Sequence, residues 1–94
     1  MADIRITQAH ALTLQQSKDA AQQVADRMAA EYDMATQWNG NVLVFGRSGI
    51  DGMLTLEERQ VTVDVTLSGF FQGVAPMIED KISRHIARTF GAED

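Results

Sequence analysis

Ile4 and Ile6 alternate with Asp3, Arg5 and Thr7, the two-residue period of a half-buried β-strand. Thr13 followed by Gln16 fits a capping box, in which each side chain satisfies a backbone N–H at a helix start. From Leu14 to about Tyr32 the apolar positions Leu14, Ala21, Val24, Met28 and Tyr32 fall on one stripe of a long amphipathic helix. Asn39-Gly40 then predicts a type I′ hairpin turn. The strand after it, Asn41 to Gly46, holds Val42, Leu43, Val44 and Phe45. Gly46 to Gly52 reverses the chain, Met53 to Leu56 continues it, and Glu57 to Gln60 makes a polar reversal. Val61, Val63, Val65 and Leu67 alternate with Thr62, Asp64 and Thr66, as an antiparallel strand with one wet face does. A second helix is entered near Pro76, carries Ile78, Ile82, Ile86 and Phe90 four apart, and stops at Gly91. The pattern predicts one α+β domain over residues 1–94, an antiparallel sheet of order β-α-β-β-β-β-α with both helices packed on one face.

That packing leaves apolar surface over. Val42 and Val44 point to one face of their strand and Leu43 and Phe45 to the other, and Trp38 and Met53 add to the surplus. Either the helices divide between the two faces, or a loop covers the excess, or a second subunit or another hydrophobic surface does. A twofold homodimer is the expectation taken forward, twofold symmetry being the commonest among soluble homo-oligomers.

Composition narrows the classes. Across 94 residues the chain is 45% hydrophobic and 22% charged, which suits a folded globular domain rather than a disordered one. Without cysteine it has no disulfide, thiolate metal site or cysteine nucleophile. The formal net charge of −5, with Lys and Arg scattered, argues against nucleic acid as a partner, because phosphate binding needs a basic face. No apolar run approaches the length of a membrane span, and the first residues lack the apolar core of a secretory signal. A cytoplasmic location is the expectation.

Candidate chemistry is sparse. His10 and His85 are far apart in sequence and in no metal-spaced cluster; His10 reads as a surface-loop residue and His85 as a partly buried helix-border histidine. The acidic pairs Glu57-Glu58, Glu79-Asp80 and Glu93-Asp94 are adjacent in sequence and so point apart, which does not make an acid and base facing one substrate. The serines lack a local base. No catalytic residue, cofactor or metal ligand is expected. Gly46-Arg47-Ser48-Gly49-Ile50-Asp51-Gly52 could cradle an anion, but strands stand on both sides where a phosphate loop needs a following helix. It reads as a structural reversal in which Arg47 anchors an acidic neighbour. Phe70-Phe71 either plugs the end of the core or forms an aromatic wedge for a hydrophobic surface.

The opening Ala2-Asp3-Ile4-Arg5-Ile6-Thr7, the long helix, the stretch from Asn41 to Gly52 with its Phe-x-Arg-Ser-Gly-x-x-Gly arrangement, and the closing Ile78–Phe90 helix resemble the polyhydroxyalkanoic acid system family. These are short bacterial proteins often encoded beside genes for polyhydroxyalkanoate (PHA) granules. The resemblance implies a context rather than a reaction, and brings no catalytic residues. Together with the surplus apolar surface, that context suggests a non-enzymatic protein that contacts the PHA granule surface or PHA synthase-associated proteins, and the residues singled out above, Trp38, Leu43, Phe45, Arg47, Phe70 and Phe71, are its candidate contact residues. The alternative is a small binding module holding an acyl or similarly apolar ligand between sheet and helices.

Overall fold

In the computed structural model, which describes residues 3–91, strand β1 (Ile4–Ala9) leads into helix α1 (Leu14–Tyr32). A meander follows of β2 (Ala35–Asn39), β3 (Val42–Arg47), β4 (Ile50–Leu56) and β5 (Gln60–Leu67). A 3₁₀ segment, Gly69–Val74, then feeds helix α2 (Ala75–Phe90). All strand pairs are antiparallel, and β5 returns to pair with β1, so the sheet order is β1-β5-β4-β3-β2. The two edges are β1 and β2.

Both helices lie on the same face. Ile4 on β1, Leu43 and Phe45 on β3, Ile50, Leu54 and Leu56 on β4, and Val61, Val63, Val65 and Leu67 on β5 are all buried beneath them. From above, α2 contributes Ile78, Ile82, Ile86 and Phe90, the four-residue spacing read in the sequence. The buried face of α1 is made of smaller side chains than expected: Ser17, Ala20, Ala21, Val24, Ala25 and Met28. Leu14, placed on that stripe by its spacing, is 54% exposed at the first position of the helix, beside the open groove at that end of the sheet. The expected capping box is present: Thr13 accepts from the Gln16 N–H at 3.1 Å, and Gln16 Oε1 accepts from the Thr13 N–H at 3.0 Å.

Two turns differ from the sequence reading. Asn39 pairs with Val42, so the hairpin loop is Gly40-Asn41 rather than Asn39-Gly40. Only its first residue has positive φ, the pattern of a type II′ turn rather than type I′. This register sets Trp38 directly opposite Leu43 on the helix side. In the second turn Arg47 pairs with Ile50, so only Ser48 and Gly49 turn the chain, while Gly46 and Gly52 lie within strands.

The face away from the helices presents mainly threonine and other short polar side chains. Its apolar content is half-buried Val42 with the more exposed Val44 and Met53, because Leu43, Phe45 and Trp38 all point to the helices. An ion pair between Arg5 and Asp64, 3.4 Å apart, crosses β1 and β5 on this face. The apolar surplus expected from the sequence is therefore small.

Candidate interaction surface

The β3–β4 turn, the C-terminus of α1 and the 3₁₀ segment meet at one corner of the molecule. α1 ends there on Asp33, the only residue other than glycine with positive φ among the described residues. The last carbonyls of a helix lack intrahelical donors and carry its negative partial charge. Arg47 meets one of them, with Nη1 donating to the Tyr32 carbonyl at 2.8 Å. Its guanidinium also sits 5.3 Å from the centroid of the Phe71 ring, within cation–π range. Arg47 thus anchors to a helix end and an aromatic ring, not to an acidic neighbour.

Gly49 completes the contact. Its φ is 93°, and a Cβ there would stand 2.8 Å from Phe71 Cδ2, so only glycine both turns the chain and admits the ring. The Gly49 carbonyl accepts from the Ser68 N–H at 3.0 Å, tying the turn to the residue that caps the 3₁₀ segment. Phe71, half-buried by these contacts, in turn holds Phe70 edge-to-face at 5.4 Å between centroids and 79° between planes. Phe70 itself is 78% exposed, the most exposed large apolar side chain among the described residues. Met77, in the first turn of α2, is 60% exposed. From Val65 to Ile78 the chain carries no charged residue. Single exposed apolar residues are ordinary on protein surfaces. An aromatic ring presented on a braced, uncharged segment is a more specific arrangement.

The remaining candidates lie elsewhere. Leu43 and Phe45 are core residues, 0% and 8% exposed, and offer nothing to a partner. Trp38 is half-buried on β2; its Nε1–H donates to Gln22 Oε1 at 2.8 Å, and Lys18 Nζ lies 5.8 Å from its ring. Sequence reasoning did not foresee Met77, because an exposed residue beside a helical stripe carries no periodic signal.

Both histidines and the Glu31–Lys81 pair make local contacts. His10 is half-buried rather than a surface-loop residue: Nδ1 accepts from the Leu12 N–H at 3.1 Å, and the ring lies 5.6 Å from that of Phe90. His85 faces Glu31 at 3.8 Å between α2 and α1. Glu31 also pairs with Lys81, and that hydrogen bond holds the Glu31 carboxyl below the usual carboxylate range while raising the Lys81 ammonium. Burial pushes the Tyr32 phenol up. Among the described residues no three His, Asp or Glu side chains gather as metal ligands would, and no helix is long and apolar enough to cross a membrane.

The interior is filled. Between Val24, Met28, Leu43, Phe45, Val63, Ile82 and Ile86 the free space is about 10 Å³, at the lower limit for a single water molecule and far below an acyl chain. At this point between sheet and helices the structure leaves no space of acyl-chain size. An open groove of about 850 Å³ lies at the far end of the sheet from the aromatic corner, beside His10, Leu14 and Glu57.

Comparison with known proteins gives one relationship. The family model described as polyhydroxyalkanoic acid system protein matches residues 4–90, nearly the whole described chain. No curated protein and no solved structure matches it.

Proposed function

Because the chain belongs to the polyhydroxyalkanoic acid system family, we propose that it serves PHA granules as a non-catalytic, cytoplasmic surface protein, docking through the aromatic corner. The observation that carries this reading is Phe70, 78% exposed on a stretch without charge. Leaving a phenylalanine in water forgoes about 1.5–3 kcal/mol relative to burying it. A polyester surface, or an apolar patch on a granule-bound protein such as a PHA synthase partner, recovers that energy. The brace of Arg47, Gly49 and Phe71 supports the reading further, because a ring held in place loses little side-chain freedom on docking. The non-catalytic part follows the sequence reading, in which no acid, base and nucleophile come together.

The test is co-sedimentation of the purified protein with isolated PHA granules, native and stripped of their protein coat. The expected result is a pelleted native protein and a Phe70→Ser/Met77→Ser variant left in the supernatant. Retention on native but not on stripped granules would assign the corner to a granule protein rather than to the polymer. Native protein left wholly in the supernatant in both cases overturns the proposal.

A further inference from the structure

The sheet order leaves β2 as an edge, and it is an unguarded one. Strands at sheet edges present unpaired N–H and C=O groups, and folded proteins usually blunt them with charge, proline or a bulge. Ala35-Thr36-Gln37-Trp38-Asn39 has no charge and no proline, and each of its five residues pairs in unbroken register with β3. The opposite edge differs in charge and cover: β1 carries Arg5 and packs more extensively against α2 than β2 does against α1, which reaches β2 through the Gln22–Trp38 bond. From this contrast we infer that β2 is the contact between two copies of the chain, paired antiparallel about a twofold axis at Gln37 into one continuous sheet.

A second copy is the occupant that the residues themselves favour. An antiparallel edge is complementary to itself, since rotation about a twofold axis sets its donors against its own acceptors. Centred on Gln37, the pairing places Trp38 opposite Thr36 of the second copy, twice, and Ala35 opposite Asn39. An aromatic residue opposite a β-branched one is a favourable cross-strand pair. No like charges meet anywhere along the strand, because it has none. Trp38 is already fixed by its bond to Gln22, which in turn donates to Asp26 Oδ1 at 2.8 Å, so pairing orders little that is free. The contact also closes: both unguarded edges are consumed and the new sheet ends on β1 at each side. This differs from a dimer through the open sheet face, for which Val42, Val44 and Met53 supply little apolar area.

Sedimentation equilibrium over a hundredfold dilution tests it, with circular dichroism as the check on folding. The native chain is expected at twice its monomer mass at the upper concentrations. Gln37 is exposed, so Gln37→Lys and Gln37→Glu are expected to fold as the native chain does. Each places two like charges opposite one another at the axis and is expected to weaken association about tenfold or more. Mixing the two variants in equal amounts is expected to restore the dimer mass, a rescue that damage to the fold would not give. A native chain that stays monomeric throughout, or a dimer indifferent to both variants, overturns the inference. So does a mixture that stays dissociated.

Discussion

The Phe45 ring fills the space where a side chain at Gly52 would stand. The two residues are directly paired across β3 and β4, and a Cβ on Gly52 would come within 2.2 Å of Phe45 Cε2. Glycine here is a packing requirement rather than a turn, since its backbone is ordinary strand. Gly52→Ala is therefore expected to cost about 1–3 kcal/mol, the scale of an overpacked core, in urea unfolding. Combined with Phe45→Leu it should cost clearly less than the sum of the two changes, because each relieves the other. Strict additivity would show that the ring and the glycine do not share that space.

Arg47 tests whether the glycine turn binds an anion. Its side chain is committed to the Tyr32 carbonyl and the Phe71 ring, both within the fold. Arg47→Ala should lower stability by about 1 kcal/mol, the scale of one net hydrogen bond at the surface. The loss should be the same with and without inorganic phosphate. A phosphate-dependent stabilisation present in the native chain and absent from the variant would mean that the turn cradles an anion after all.

Where the sequence was informative, the signal was local. The Thr13/Gln16 capping box depends on two residues three apart, and the stripe of α2 on large side chains at a constant spacing. The face of α1 was harder to read because Ala20, Ala25 and Ser17 bury well yet are only weakly hydrophobic. Alternation within β3 separates Leu43 and Phe45 from Val44 but does not say which set faces the helices; register across the sheet decides that. The corner was half legible. Phe70-Phe71 stood out, but the brace beneath it did not, because Arg47 binds a main-chain carbonyl that any residue at position 32 would supply.

Acid should loosen the contact between the helices at Glu31. Its hydrogen bond with Lys81 lowers the carboxyl's folded value below its unfolded one. A group shifted downward stabilises the fold above its unfolded value, and loses that contribution as pH falls through the folded one. Lys81, shifted upward, contributes below its unfolded value and loses this as pH rises through the folded one. The pair should thus support the fold fully between the carboxylate and ammonium ranges. Urea midpoints measured from neutral to acidic pH should fall less steeply for Glu31→Gln than for the native chain. Parallel curves would show that the pair contributes nothing to acid sensitivity.

Phe70 and Phe71 should separate binding from stability. Phe70 is almost wholly in water, so removing its ring deletes little buried surface; Phe70→Ser should shift stability by no more than about 0.5 kcal/mol, as surface changes usually do. Phe71 packs against the core, under the Arg47 guanidinium and in the space that Gly49 leaves open. Phe71→Ser deletes those contacts together and should cost clearly more, about 1–3 kcal/mol by analogy with truncating a partly buried apolar side chain. Both variants should release the protein from granules, the first by removing the docking ring, the second by removing its support. A Phe70→Ser variant that unfolds readily would show that the ring belongs to the core. One that is stable and still pellets with granules would move the docking surface away from this corner.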